Sequence, residues 1–148
     1  MKRVLYLLTA SVFYMLLTAC STATVPQIGA PVPCQIQSVE QVEQAVMAGL
    51  VDQHWEVMSS SDHIIEAHKT TAQAQAMVHI AYGYRGFSIE YFDSKNMDYD
   101  AGNDTISDVY VKWVYHLMNS ISNILKQEVE QLPPVKCSGL KDQYQQEE

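Results

Sequence analysis

Gln75-Ala76-Met77-Val78-His79-Ile80-Ala81-Tyr82 sets the architecture of this chain. Ala76, Val78, Ile80 and Tyr82 alternate with Gln75, Met77, His79 and Ala81. A period of two with one greasier side marks a strand packed on one face and open on the other. Three more stretches repeat the pattern. Trp55, Val57 and Ser59 alternate with His54, Glu56 and Met58; Ile65 and Ala67 with Ile64, Glu66 and His68; Phe87, Ile89 and Tyr91 with Ser88, Glu90 and Phe92. The breaks at Ser59–Asp62, Thr70-Thr71 and Gly83–Gly86 are short enough for hairpins.

Outside these strands the period changes. Ser38, with Gln41 three residues later, forms a capping box, and Val42, Ala45, Val46, Gly49 and Leu50 fall on one helical stripe. A polar loop from Ser94 to Asp104 leads to a second helix expected from about Thr105, with Asp104 as its cap. Ile106, Tyr110, Trp113, Leu117, Ile121, Ile124 and Leu125 form its buried stripe, and Pro133-Pro134 ends it. The expected fold is α+β: a two-layer sandwich of a four-stranded antiparallel meander with two antiparallel helices on one face, ordered α-β-β-β-β-α. This domain spans residues 38–132, and residues 133–148 form a polar C-terminal tail.

Register fixes what shares the uncovered face, because a slip of one residue inverts the pattern. Pairing Val57 with Ile65, Ala67 with Ala76, and Ile80 with Ile89 gathers His54, His68, His79, Glu56, Glu66 and Glu90 there. Met58, Ile64, Met77 and Phe92 form an apolar group beside them, the candidate interface. Imidazoles and carboxylates that converge bind zinc when three or four reach it. His54, His68, His79, Glu66 and Glu90 are therefore weak metal candidates, but no HExxH or CxxC spacing supports them, and solvated polar residues are ordinary on an open face. No catalytic residue and no cofactor is implied, because no nucleophile–base pair can be assembled. Asp93, Asp98, Asp100, Asp104 and Asp108 cluster near the second helix without the order of an EF-hand loop, so capping is their expected role.

The start of the chain reads differently. Lys2 and Arg3 precede an almost unbroken apolar run, Val4 to Leu17, and small residues then lead to Cys20. Val4 to Ala19 is 16 residues, short of the roughly 20 that span a bilayer, so a removed signal segment is expected over residues 1–19. Leu17-Thr18-Ala19-Cys20 resembles the lipobox of bacterial lipoproteins. The resemblance implies lipidation of Cys20, a palmitate-bearing anchor, and, with Ser21 rather than Asp following, the outer membrane, facing the periplasm. Removing the first 19 of 148 residues leaves 129, and losing Lys2 and Arg3 leaves seven basic residues against 17 acidic, a formal charge of −10. Such a surface repels nucleic-acid backbones. Membrane contact comes from the anchor, and residues 20–37, with three prolines between Ser21 and Pro33, are expected to be a flexible tether.

An exported chain lives where disulfides persist. The topology brings the segment before the first helix near the segment after the second, so Cys34 and Cys137 are the expected pair; two free thiols are the alternative. A loop of about 100 residues closed in this way stabilises a fold by up to ~4–5 kcal/mol.

Ala76-x-Val78-x-Ile80-x-Tyr82, Ile89-x-Tyr91-x-x-Ser94-x-Asn96-Met97-x-Tyr99 and Tyr110-x-x-Trp113-Val114-x-x-Leu117 together resemble a group of small, functionally uncharacterised Gram-negative lipoproteins with an αββββα domain. The resemblance covers roughly residues 38 to 125 and implies no assigned activity. The architecture is also similar to lipoproteins that serve outer-membrane assembly machines, an analogy at the level of fold. The expected function is a non-enzymatic, lipid-anchored envelope accessory protein that binds another envelope protein through its open sheet face. A periplasmic small-ligand or metal-binding lipoprotein is the alternative.

Overall fold

The computed structural model describes residues 21–36 and 38–133. The chain is α+β, with two helices, a five-stranded antiparallel sheet and a separate two-stranded ribbon. In order the elements are β1 (Thr22–Thr24), β2 (Ile28–Pro31), α1 (Val39–Asp52), β3 (Glu56–Ser61), β4 (Ile64–Thr70), β5 (Gln75–Gly83), β6 (Gly86–Lys95), β7 (Thr105–Ser107) and α2 (Asp108–Glu130). The large sheet has the order β2-β6-β5-β4-β3, and β1 pairs with β7.

The expected tether is corrected. Within residues 20–37, β1 and β2 are strands, and β2 adds a fifth, edge strand to the sheet, with Ile28 opposite Ile89 and Pro31 opposite Gly86. Ile28, Val32 and Ile36 are buried. Burying an aliphatic side chain contributes about 1.5–3 kcal/mol, which is what draws a proline-rich segment into the domain. The prolines are compatible with it because an edge strand does not need every N–H. Ser21–Ile36 accordingly belong to the folded domain rather than to a tether ahead of it.

Ser38 caps α1 as its sequence suggests, its hydroxyl accepting from the Gln41 N–H at 3.2 Å. Val42, Ala45, Val46, Gly49 and Leu50 are all buried. The start of α2 is corrected: Thr105–Ser107 is strand, and Ser107, not Asp104, is the cap. Asp104 has φ 51° instead, a left-handed turn that Asp tolerates better than most residues. Tyr110, Val114, Leu117, Ile121 and Leu125 form the buried stripe of α2.

The helices cross closely. A Cβ at Gly49 would lie 2.5 Å from Ile121 Cγ1, the Ser120 hydroxyl donates to Asp52 at 2.8 Å, and Trp55 meets Trp113 edge to face at 6.4 Å. These contacts bring the end of α1 and the residue Trp55 beyond it against the middle of α2. Their stripes join Ile65, Ala67, Ala76, Val78, Ile80, Tyr82, Phe87 and Ile89 in one core. Among the described residues that core contains no buried charged or polar residue. Cys34 is disulfide-bonded; Cys137, its expected partner, and Cys20, the expected lipidation residue, lie outside the described residues, as do the expected signal segment and nearly all of the tail.

Candidate interaction surface

Three rungs cross the face of the sheet that the core leaves open. The first joins Gly29, Ser88, Ala81 and Ile64. The second joins Glu90, His79 and Glu66, with Ser59 beyond. The third joins Asp93, Met77, His68 and Glu56. Ile64, Glu66, His68, Met77, His79 and Glu90 thus share a face by their spacing of two, and Ile80 pairs with Ile89 and His79 with Glu90 as the sequence indicates.

The other expected registers are corrected. Ala67 faces Val78 rather than Ala76, so Glu66 meets His79 and Ile64 meets Ala81. Val57 faces Ala67 rather than Ile65, and a bulge at Met58 shifts the rest of β3. The cause is the turn. Asp62 and His63 have φ 49° and 63°, and Ser61 pairs with Ile64, so the hairpin closes on two left-handed residues and Ser59–Ser61 continue the strand. Serines read as turn in a sequence because their short hydroxyl side chains compete for backbone bonds. Val57 is exposed rather than inward, because all of β3 lies exposed at the sheet's outer edge.

The four apolar candidates consequently divide. A second bulge falls at Phe92, between the pairs Val78–Tyr91 and Met77–Asp93. It brings the Phe92 ring over His79, stacked at 4.2 Å and 24°, and Phe92 stays 48% exposed. Met77 and Phe92 therefore belong together. Ile64 lies four residues along β4 from the rung of Met77, about 13 Å at strand spacing, and sits with Ala81. Met58 is exposed on the β3 bulge.

The metal candidates do not converge. His54 is not on a strand: it follows α1 with φ 58°, its Nδ1 3.0 Å from the Asp52 carbonyl. His68 pairs with Glu56 at 3.3 Å, while His79 is taken up by Phe92 and flanked by Glu66 and Glu90. Among the described residues no three His, Cys, Asp or Glu side chains are grouped to hold an ion. What the face presents is an apolar centre, Met77 with Phe92 on His79, ringed by Glu56, Glu66, Glu90 and Asp93.

Elsewhere the polar residues serve the fold. Asn96, at φ 57°, donates from its side chain to the Gln73 carbonyl at 2.9 Å. Ser94 bonds the Tyr91 hydroxyl at 3.0 Å, and Tyr91 packs on Tyr99 and Tyr110. Burial pushes the Tyr110 hydroxyl well above the usual tyrosine range, as befits a core ring. Asp100 is held below the usual carboxylate range by the Asn103 side chain and the Gly102 N–H, which tie its loop. Lys69 covers Trp113 at 5.2 Å and donates to the Gln53 carbonyl at the end of α1; burial lowers its pKa. Trp55 and Tyr110 are buried in the core, and Trp113 packs against it.

A shallow depression of about 530 Å³, lined by Gly29, Ala81, Arg85 and Ser88 among others, lies at the β5–β6 hairpin end. Nothing in the sequence signals it, because it depends on β2 joining the sheet. Among the described residues no helix is long and apolar enough to cross a membrane. Compared with known proteins, the chain matches no family model, no curated protein and no solved structure.

Proposed function

We propose that the chain is a non-enzymatic, lipid-anchored accessory protein of the bacterial outer membrane, held by Cys20 and binding another envelope protein through its open sheet face. One observation carries the reading: Met77 and Phe92 form an apolar centre on that face, set among four carboxylates and uncovered by any described element. An exposed aromatic at the middle of a polar rim is the composition of a protein contact, where a buried ring supplies most of the energy. The carboxylate rim selects a partner whose apolar patch is bordered by Lys or Arg, and it speeds encounter at low salt. The expected two-layer arrangement, with both helices behind the sheet, supports this by leaving one face for docking.

The test is crosslinking in intact cells followed by recovery of the full chain. Wild type is expected to retain a specific envelope protein that Phe92→Asp and Met77→Asp lose, with all three proteins equally abundant in membranes. Identical partners in all three would overturn the interface.

A further inference from the structure

The domain is pinned directly behind its anchor. The Ser21 carbonyl accepts from the Asp108 N–H at 3.2 Å, Thr22–Thr24 pair with Thr105–Ser107, and the Val25 N–H donates to the Asp104 carbonyl. Ser107 in turn donates to the Met97 carbonyl at 2.8 Å. Consecutive Cα atoms are about 3.8 Å apart, so Cys20 is one such step from Ser21 and two from the first residue of β1. Ser21, the ribbon of β1 and β7, the loop 96–104 and the first turn of α2 all gather at the Lys95 end of the large sheet. The opposite end carries the turn Asp62-His63 and the turn Tyr84-Arg85. β6 connects the two ends with ten residues, about 30 Å at strand spacing.

From this we infer that the domain stands upright on a zwitterionic phospholipid leaflet, resting on its β1–β7 end, with Tyr99 and Val109 at headgroup level and both hairpin tips pointing away. The inference rests on Cys20 carrying the anchor, as proposed above. With only Ser21 between Cys20 and β1, the end nearest the lipid is set by connectivity. Tyr99 and Val109 are 41% and 44% exposed at that end, and Tyr is a residue suited to the interface because its ring is apolar and its hydroxyl wet. Asp98, Asp100, Asp104 and Asp108 stand there too. They are repelled by anionic headgroups and tolerated by ammonium-bearing ones, which fixes the lipid class. The open face then lies side-on to the leaflet, so a partner must itself be embedded or anchored within about 30 Å of the surface.

The experiment incorporates benzoylphenylalanine singly at Tyr99, Val109, His63 and Tyr84 in the full-length, lipidated chain. Each protein is reconstituted in phosphatidylethanolamine–phosphatidylcholine vesicles and irradiated, and phospholipid adducts are counted by mass. Adducts at residues 99 and 109 should exceed those at 63 and 84 at least tenfold. Inserting a 12-residue Gly-Ser linker between Cys20 and Ser21 should bring the four yields level. Equal yields without the linker, or more at Tyr84, overturn the upright orientation alone. Failure of the same proteins to incorporate palmitate overturns the anchor and the orientation with it.

Discussion

Gly49→Ala is expected to loosen the helical layer, although in a solvent-exposed helix the same change stabilises. Alanine gains about 1 kcal/mol over glycine in helix propensity. Against this, the new methyl would sit 2.5 Å from Ile121 Cγ1 and 3.2 Å from the Ile121 backbone nitrogen. Ile121 is fully buried, and its backbone cannot rotate away, so α1 must retreat from α2. Overpacking of this kind costs about 1–3 kcal/mol. Set against the gain in propensity, the steric cost leaves a net loss of up to about 2 kcal/mol. For a domain near 100 residues each kcal/mol lowers Tm by roughly 4–8 °C.

Chemical denaturation of the full chain, followed by the fluorescence of Trp55 and Trp113, measures the loss as a shifted midpoint at constant slope. A double-mutant cycle isolates the cause. Ile121→Ala removes the clashing Cγ1 and alone costs about 2–5 kcal/mol. On that background Gly49→Ala should become neutral or stabilising, a coupling of at least about 1 kcal/mol. A Gly49→Ala protein more stable than wild type, or one equally affected on both backgrounds, would refute the close crossing of the helices.

Replacing Asp62-His63 by Asn-Gly should raise stability by about 0.5–1 kcal/mol, since both turn residues are left-handed and that pair is preferred in such hairpins; a lower Tm would contradict the observed turn. Asn96→Ala removes the bond to Gln73 and leaves a left-handed alanine, so it should cost about 1–2 kcal/mol, while Asn96→Gly restores part of this. Ser38→Ala should cost about 1 kcal/mol through loss of the α1 cap, read by the same denaturation. The Asp52 carboxyl is held below its ordinary value of 3.8 by the Gln53 side chain and by Ser120. A depressed folded pKa stabilises above the unfolded value and loses that contribution as pH falls through the folded one. Wild type should therefore exceed Ser120→Ala in Tm at neutral pH, and the gap should close on acidification below pH 3.8; a gap constant with pH would sink the ion–hydroxyl account.

How much of the fold is legible in the residues depends on whether a pattern is local. The stripe of α1, the alternation of β5 and the Ile80–Ile89 pairing follow from period alone. The strand faces are readable too, because parity survives a two-residue slip such as that of Ala67 onto Val78. Register is not, since it is set by Asp62-His63, a turn without glycine, and by bulges at Met58 and Phe92 that leave no compositional trace. β2 hides for a different reason: Ile28, Val32 and Ile36 are spaced by four, which suits a helix face and one side of a strand alike, and the prolines among them read as a break. The site suffers in proportion. Met77 with Phe92 is readable as a pair, but a register two residues out draws in Ile64, and extending β3 back past Trp55 draws in His54.

The same topology bears on how a partner is engaged. A sheet offers two routes, its edges and its open face, and unpaired edge strands normally recruit further strands. Both edges here discourage that. β2 is four residues long and carries Gly29 and Pro31, and proline removes a donor while glycine weakens pairing. β3 is bent by the bulge at Met58 and continues as three serines, a stretch with little to pack against an added strand. Strand addition is thereby disfavoured along β2 and β3, and the stretch of β6 that β2 does not reach is broken by the bulge at Phe92. The face differs in kind, because Phe92 is raised on its bulge and braced by His79 at 4.2 Å, so little freedom is left for it to lose on binding. A bulge that spoils pairing at one edge and a bulge that presents a ring on β6 would direct the proposed contact to the same place.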